Sequence, residues 1–196
     1  MSFVVIEGPD GVGKTTLVQR FAAYKYPTYK FPADPRPAEG PQRAEAMLDD
    51  MAAFRDELAS AQDATVDRYD MSTLVYQGLL YGRAAELGRL DTERAARVLA
   101  LMQDRWSDYA HPDSYVVLLG PRLRAVEDAV SSEDSQPIHM QRAAYEEAIR
   151  LMQSTFGVHV DRLYDKPPAV VYPSLWGAGV ATRTVVPRHW EREEQK

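Results

Sequence analysis

An apolar run, Phe3-Val4-Val5-Ile6, leads through Glu7 into Gly8-Pro9-Asp10-Gly11-Val12-Gly13-Lys14-Thr15. The run is short and β-branched, as in a strand covered on both faces. The glycine segment has the spacing of a phosphate-cradling loop: Gly, four residues, then Gly-Lys-Thr. Beyond it, Leu17, Val18 and Phe21 fall on one face of a helix expected over Lys14 to Tyr24. Strand, glycine turn and helix in that order dictate an α/β unit. The glycines let backbone amides turn inward as an anion nest, and the helix adds its partial positive N-terminus. Gly11, Val12, Gly13, Lys14, Thr15 and Thr16 would then hold a nucleoside triphosphate. Lys14 would reach the outer phosphates, and the Thr15 hydroxyl would ligate Mg2+.

The remaining chain alternates strands and helices, which predicts an α/β fold of three α/β/α layers around a mostly parallel, five-stranded sheet. Ala64 to Val66 and Tyr115 to Leu119 read as buried strands, with weaker candidates at Val158 to Val160, Ala169 to Val171 and Thr182 to Val186. Helical spacing covers Ala44 to Ala59, Ser72 to Leu87, Asp91 to Tyr109 and His139 to Thr155. Tyr26 to Pro41 holds prolines 27, 32, 35, 37 and 41, which remove too many amides for a helix or central strand and predict a loop.

One domain is expected for 196 residues, 45% of them hydrophobic. The absence of cysteine excludes disulfide scaffolds, thiolate metal sites and cysteine nucleophiles. A balance of 23 basic against 29 acidic residues, net −6, argues against a protein that coats nucleic acid. No run approaches the ~20 apolar residues of a membrane span. Met1 to Ile6 lacks a basic leader, so a soluble cytoplasmic protein is expected.

A second constellation follows the strand Ala64 to Val66. Asp67 and Arg68 fall at its C-terminal end, where open α/β sheets bind ligands. Asp67 suits a Mg2+-bound water or the orientation of the attacking phosphate, and the planar fork of Arg68 suits an acceptor phosphate. Here the chain resembles the thymidylate kinase family. Val5 to Thr16 is similar to that family's first motif, and Asp67-Arg68-Tyr69-Asp70-Met71-Ser72-Thr73-Leu74-Val75-Tyr76-Gln77-Gly78 to its second. Phe31-Pro32 with Arg36, Ala52-Ala53-Phe54-Arg55 and Pro112-Asp113 resemble further family segments in the right order.

The resemblance implies transfer of the γ-phosphate of ATP to dTMP in a homodimer, with the triphosphate and Mg2+ on Gly8 to Thr16. Asp10 would lie near the acceptor sugar, and Arg68, with Arg36, would hold its phosphate. Arg55 would reach a base carbonyl and Phe31 would stack on the base. Tyr76 would sit against the sugar, with Thr73 and Gln77 near the base.

The chain also departs from that pattern. Gly11 and Val12 stand where some members carry a loop arginine. The expected lid, 125–141, contains no Lys or Arg and holds Glu127, Asp128, Glu133 and Asp134. Arg142, just beyond it, is the first candidate for the catalytic cation, with Arg122 and Arg124 behind it. Leu74 replaces a polar base-side residue of some relatives, which leaves open a modified pyrimidine, free or in DNA. The arginine-free lid keeps open a nucleotide-binding regulatory protein without transfer activity. The extension over about 173–196 has no role legible in its residues.

Overall fold

The computed structural model describes residues 2–15, 17–18, 28–30, 41–60, 63–120 and 136–164. Its strands are β1 (Ser2–Glu7), β2 (Thr28–Lys30), β3 (Asp63–Asp67), β4 (Ser114–Leu118) and β5 (Val160–Leu163). All pair in parallel in one five-stranded sheet, ordered β2-β3-β1-β4-β5. The helices are α1 (Pro41–Ala53), α2 (Arg55–Ser60), α3 (Asp70–Thr73), α4 (Arg83–Glu86), α5 (Thr92–Asp104) and α6 (Ile138–Phe156). A further helix begins at Lys14.

The side-chain period of the strands makes the layers. Phe3 and Val5 of β1, with Tyr115 and Val117 of β4, join Leu48, Met102 and Ile149 from α1, α5 and α6 in one core. The intervening Val4, Ile6, Val116 and Leu118 turn to the other face and pack on Val12, Leu17 and Val18. Both faces are covered, as parallel sheets require.

Four expectations need correction. The proline-rich stretch is not loop throughout, because β2 occupies three of the four proline-free positions between Pro27 and Pro32. Among the described residues it pairs only with β3, at the edge of the sheet, where missing amides nearby are tolerated. The helix expected over Ala44 to Ala59 starts at Pro41 and breaks at Phe54, whose amide donates to the Met51 carbonyl (3.2 Å) while its ring buries.

The helix expected from Ser72 to Leu87 is instead α3, a π-helical stretch Leu74–Leu79, and α4 after a turn. Gly78 lies so close to α5 that a Cβ there would come 3.0 Å from the Ala95 Cα, and Leu80 N closes the wider turn on Val75 O (2.8 Å). The fifth strand begins at Val160, later than expected. Ala169 to Val171, Thr182 to Val186, most of the lid and the extension lie outside the described residues.

Gly8 ends β1 with φ 137°, and a Cβ there would meet the Leu118 carbonyl oxygen at 2.3 Å. Gly8→Ala is therefore expected to cost at least ~2 kcal/mol through backbone strain and overlap. Thermal unfolding should show a clear fall in Tm.

Candidate active site

Parallel pairing brings the two sequence constellations together. Ile6 pairs with Asp67 across β1 and β3, so both chains leave the sheet side by side at their C-terminal ends. The strand order reverses about β1, which is where open sheets leave a crevice.

On the β1 side, Gly11 (φ 76°) and Gly13 (φ 97°) turn the loop, and Lys14 follows at the start of its helix. Lys14 is buried, and its Nζ donates to the Pro9 carbonyl at 2.5 Å. Burial, and then the positive charge of Arg68, push its amine down to about 7 against the pull of Asp10, Asp67 and Glu7. Thr15 is exposed, and its Oγ1 donates to Asp67 Oδ2 at 3.2 Å.

On the β3 side, Arg68 is the one non-glycine residue with positive φ (68°) among the described residues. Its amide donates to Ile6 O at 3.0 Å. The guanidinium forms an ion pair with Asp10, inside the glycine loop, and lies 4.8 Å from the centroid of the Tyr76 ring. The Tyr76 hydroxyl donates to Gln141 Oε1 (3.1 Å), which also accepts the Asp10 amide (2.8 Å). Gln141 Nε2 donates to Gln136 O at 2.8 Å. One buried amide thus joins the loop, the aromatic wall and α6.

Beneath these groups lies a fully buried carboxylate. Glu7 accepts from Tyr69 N (2.8 Å), Ser72 N (3.2 Å), Ser72 Oγ (2.5 Å) and Tyr145 OH (3.2 Å). Burial raises its pKa, opposed by the Ser72 and Tyr69 hydrogen bonds and by Arg68. Asp70 is also buried and is pushed up to about 7 by burial, while Tyr115 OH donates to it at 2.8 Å.

No protein-family model matches the chain, and no curated protein sequence matches it. Solved structures do. Deoxyadenosine kinase from M. mycoides with bound dATP superposes with a TM-score of 0.59 at 14% identity, over 83% of this chain and 90% of that one. Thymidylate kinase from Candida albicans gives 0.54 at 14% identity, over 89% of each. The fold is that of these P-loop kinases. NadR in complex with NR gives 0.56 at 17% identity, over 90% of this chain but 48% of that one.

Within this fold, Asp10, Lys14, Thr15, Asp67, Arg68 and Tyr76 gather beyond the C-terminal ends of β1 and β3 through the contacts above. Arg142 sits on α6, where its Nη2 donates to Gly120 O (2.5 Å) just beyond β4, and its buried Nε has no hydrogen bond among the described residues. Gln77 is buried on the π-helical stretch, with Oε1 likewise unpaired among the described residues. Thr73 is buried against α1, its hydroxyl 3.9 Å from Met47 Sδ.

Arg55 does not join the group. With Phe54 turned inward, Arg55 is exposed, and its charge acts on His111, which precedes β4 at the opposite end of the parallel sheet. Thr16, Phe31 and Arg36 lie outside the described residues. Sequence reasoning missed Gln141 and Glu7. Nothing in a neutral amide at a helix start marks Gln141. A carboxylate closing an apolar strand was a legible signal for Glu7, because such a group is rarely buried without several donors.

Proposed function

We propose that the protein transfers the γ-phosphate of ATP to a deoxypyrimidine nucleoside monophosphate, with dTMP as the first acceptor to test. The observation that carries this reading is the meeting of two anion-holding elements: the loop with Lys14, and Arg68, anchored to that loop through Asp10. One cradle suits a nucleotide; a second fixed guanidinium beside it suits a second phosphate.

Thr15 and Asp67 fit Mg2+, since a hydroxyl and a carboxylate oxygen 3.2 Å apart are adjacent hard donors. Water and phosphate oxygens would complete the shell. When bound, the ion neutralises charge on the outer phosphates. Lys14 gives up the Pro9 carbonyl for a phosphate oxygen, and Arg68 shares its fork between Asp10 and the acceptor phosphate. Tyr76 supports the guanidinium from below. The attacking phosphate oxygen is already ionised, so positioning and charge neutralisation suffice and no strong base is required.

Arg142 would supply further positive charge by exchanging the Gly120 carbonyl for the migrating group. Arg142→Ala should lower turnover about tenfold or more with ATP binding kept. Unaltered single-turnover rates remove it from the mechanism.

The deciding experiment is a coupled assay with ATP against dTMP, dUMP, dCMP, dGMP and dAMP, with the unphosphorylated deoxynucleosides alongside. A diphosphate product with a pyrimidine preference is expected. Phosphorylation of nucleosides alone overturns the acceptor class, and ATP binding without any product points to a regulatory protein. Low-salt binding to single-stranded DNA tests a polymer acceptor, against which the net charge of −6 weighs. Homodimer assembly belongs to the same proposal and is checked by light scattering.

A further inference from the structure

We infer that Glu7 is a positioning residue for the acceptor side. Its carboxylate holds the turn that carries Arg68, and so sets the span between the phosphate loop and the acceptor guanidinium. This rests on the proposed function and adds to it the group that keeps the two phosphate sites in register.

Arg68, at φ 68°, has a backbone conformation that a residue with a Cβ adopts only under strain. Such a conformation persists where its neighbours over-determine it. Both flanks of Arg68 are tied to the end of β1. Its own amide goes to Ile6 O (3.0 Å), and the next amide, Tyr69 N, goes to Glu7 Oε1 (2.8 Å). Oε1 also takes Ser72 N (3.2 Å), in the first turn of α3. Oε2 is fixed by Ser72 Oγ (2.5 Å) and Tyr145 OH (3.2 Å), themselves 2.9 Å apart.

A charged group in a fully buried site is a costly way to end a strand, and β4 ends on the apolar Leu118. What the carboxylate adds is reach to two backbone amides at once. Gly8, the next residue, opens the phosphate loop. Glu7 is therefore one covalent step from the donor cradle and one hydrogen bond from the residue after Arg68. A displacement of about 1 Å in such a frame costs on the order of 100-fold in rate.

Two substitutions separate geometry from charge. Glu7→Asp keeps the charge but draws the carboxylate back by one methylene, away from both amides. It should raise the acceptor KM about 30-fold or more and lower kcat, with the affinity for a non-hydrolysable ATP analogue within about twofold of wild type. Glu7→Gln loses the charge but keeps the reach. Its carbonyl accepts both amides, and its NH2 donates to Ser72 and Tyr145, whose hydroxyls also accept. It should restore the acceptor KM to within about fivefold of wild type.

Amide hydrogen exchange gives a readout that needs no turnover: Tyr69 and Ser72 should be protected in the wild type and in Glu7→Gln, and should exchange faster in Glu7→Asp. If Glu7→Asp does not fold, Ser72→Ala replaces it, with an acceptor KM raised about fivefold. A Glu7→Gln variant as impaired as Glu7→Asp overturns the proposal, as does equal loss of ATP-analogue and acceptor affinity, or unchanged exchange at Tyr69 and Ser72. If the wild type phosphorylates no monophosphate, the functional reading fails, while amide exchange still decides whether Glu7 holds the turn.

Discussion

Arg68→Ala is expected to raise the KM for the acceptor monophosphate by about 100-fold or more, with ATP affinity little changed. Truncating one partner of a buried hydrogen-bonded charge pair costs about 2–5 kcal/mol; the Arg68 and Asp10 side chains keep 26% and 34% of their surface exposed, which puts this loss in the lower half of that range, and each 1.4 kcal/mol is about tenfold. The loss has two parts here. The acceptor phosphate loses a two-pronged cation, and Asp10, freed from its ion pair, is left as a negative charge beside the incoming phosphate.

Arg68→Lys should recover little, since an ammonium offers neither the fork nor the same stacking on Tyr76. Arg68→Gly is the control for the backbone. It relieves the strain of φ 68°, so a glycine variant as impaired as the alanine one assigns the loss to the side chain. Initial rates with varied acceptor at saturating ATP make the measurement. An unchanged acceptor KM would remove Arg68 from the site.

Lys14→Met is expected to lower kcat by about 100- to 1000-fold, the usual loss when a fixed donor to developing charge is removed. The same residue predicts a pH dependence. In the free protein, burial and Arg68 hold the Lys14 amine down to about 7. A bound triphosphate faces that amine with negative charge and raises its pKa. Above pH 7, ATP must therefore bring a proton with it. Affinity should fall up to about tenfold per pH unit as pH rises from 7 towards the pKa of the complex.

The sign for folding is the reverse. The unfolded chain binds this proton more tightly, so stability attributable to Lys14 rises with pH from about 7 towards the ordinary lysine value of 10.5. Calorimetry of ATP binding at pH 8, in buffers of different ionisation enthalpy, should show uptake of close to one proton. Lys14→Met should abolish it. Binding heats independent of the buffer would mean that Lys14 is already charged in the free site.

Much of the frame was legible because it depends on local pattern. The apolar run at Phe3 to Ile6 and the glycines after it force strand, turn and helix, and Asp91 caps α5 by accepting from Arg94 N (2.9 Å), as its sequence position suggests. Boundaries failed where packing overrode periodicity. The break at Phe54 and the π-helical turn at Leu74–Leu79 both serve contacts with distant elements, to which a periodic pattern is blind. Arg55, which the family resemblance put near a base carbonyl, follows that break and is exposed.

The chemical inventory of the site was already fixed by residue order. Lys14 and Thr15 must follow a glycine turn, and Asp67 and Arg68 must follow a strand, because backbone sterics and side-chain period act over a few residues. The pairing of Ile6 with Asp67 came only from the fold, as did the Asp10–Arg68 ion pair, the bridge at Gln141 and the four donors on Glu7. These contacts join residues about 60 to 140 positions apart, and which of them form depends on strand order and helix docking over the whole sheet.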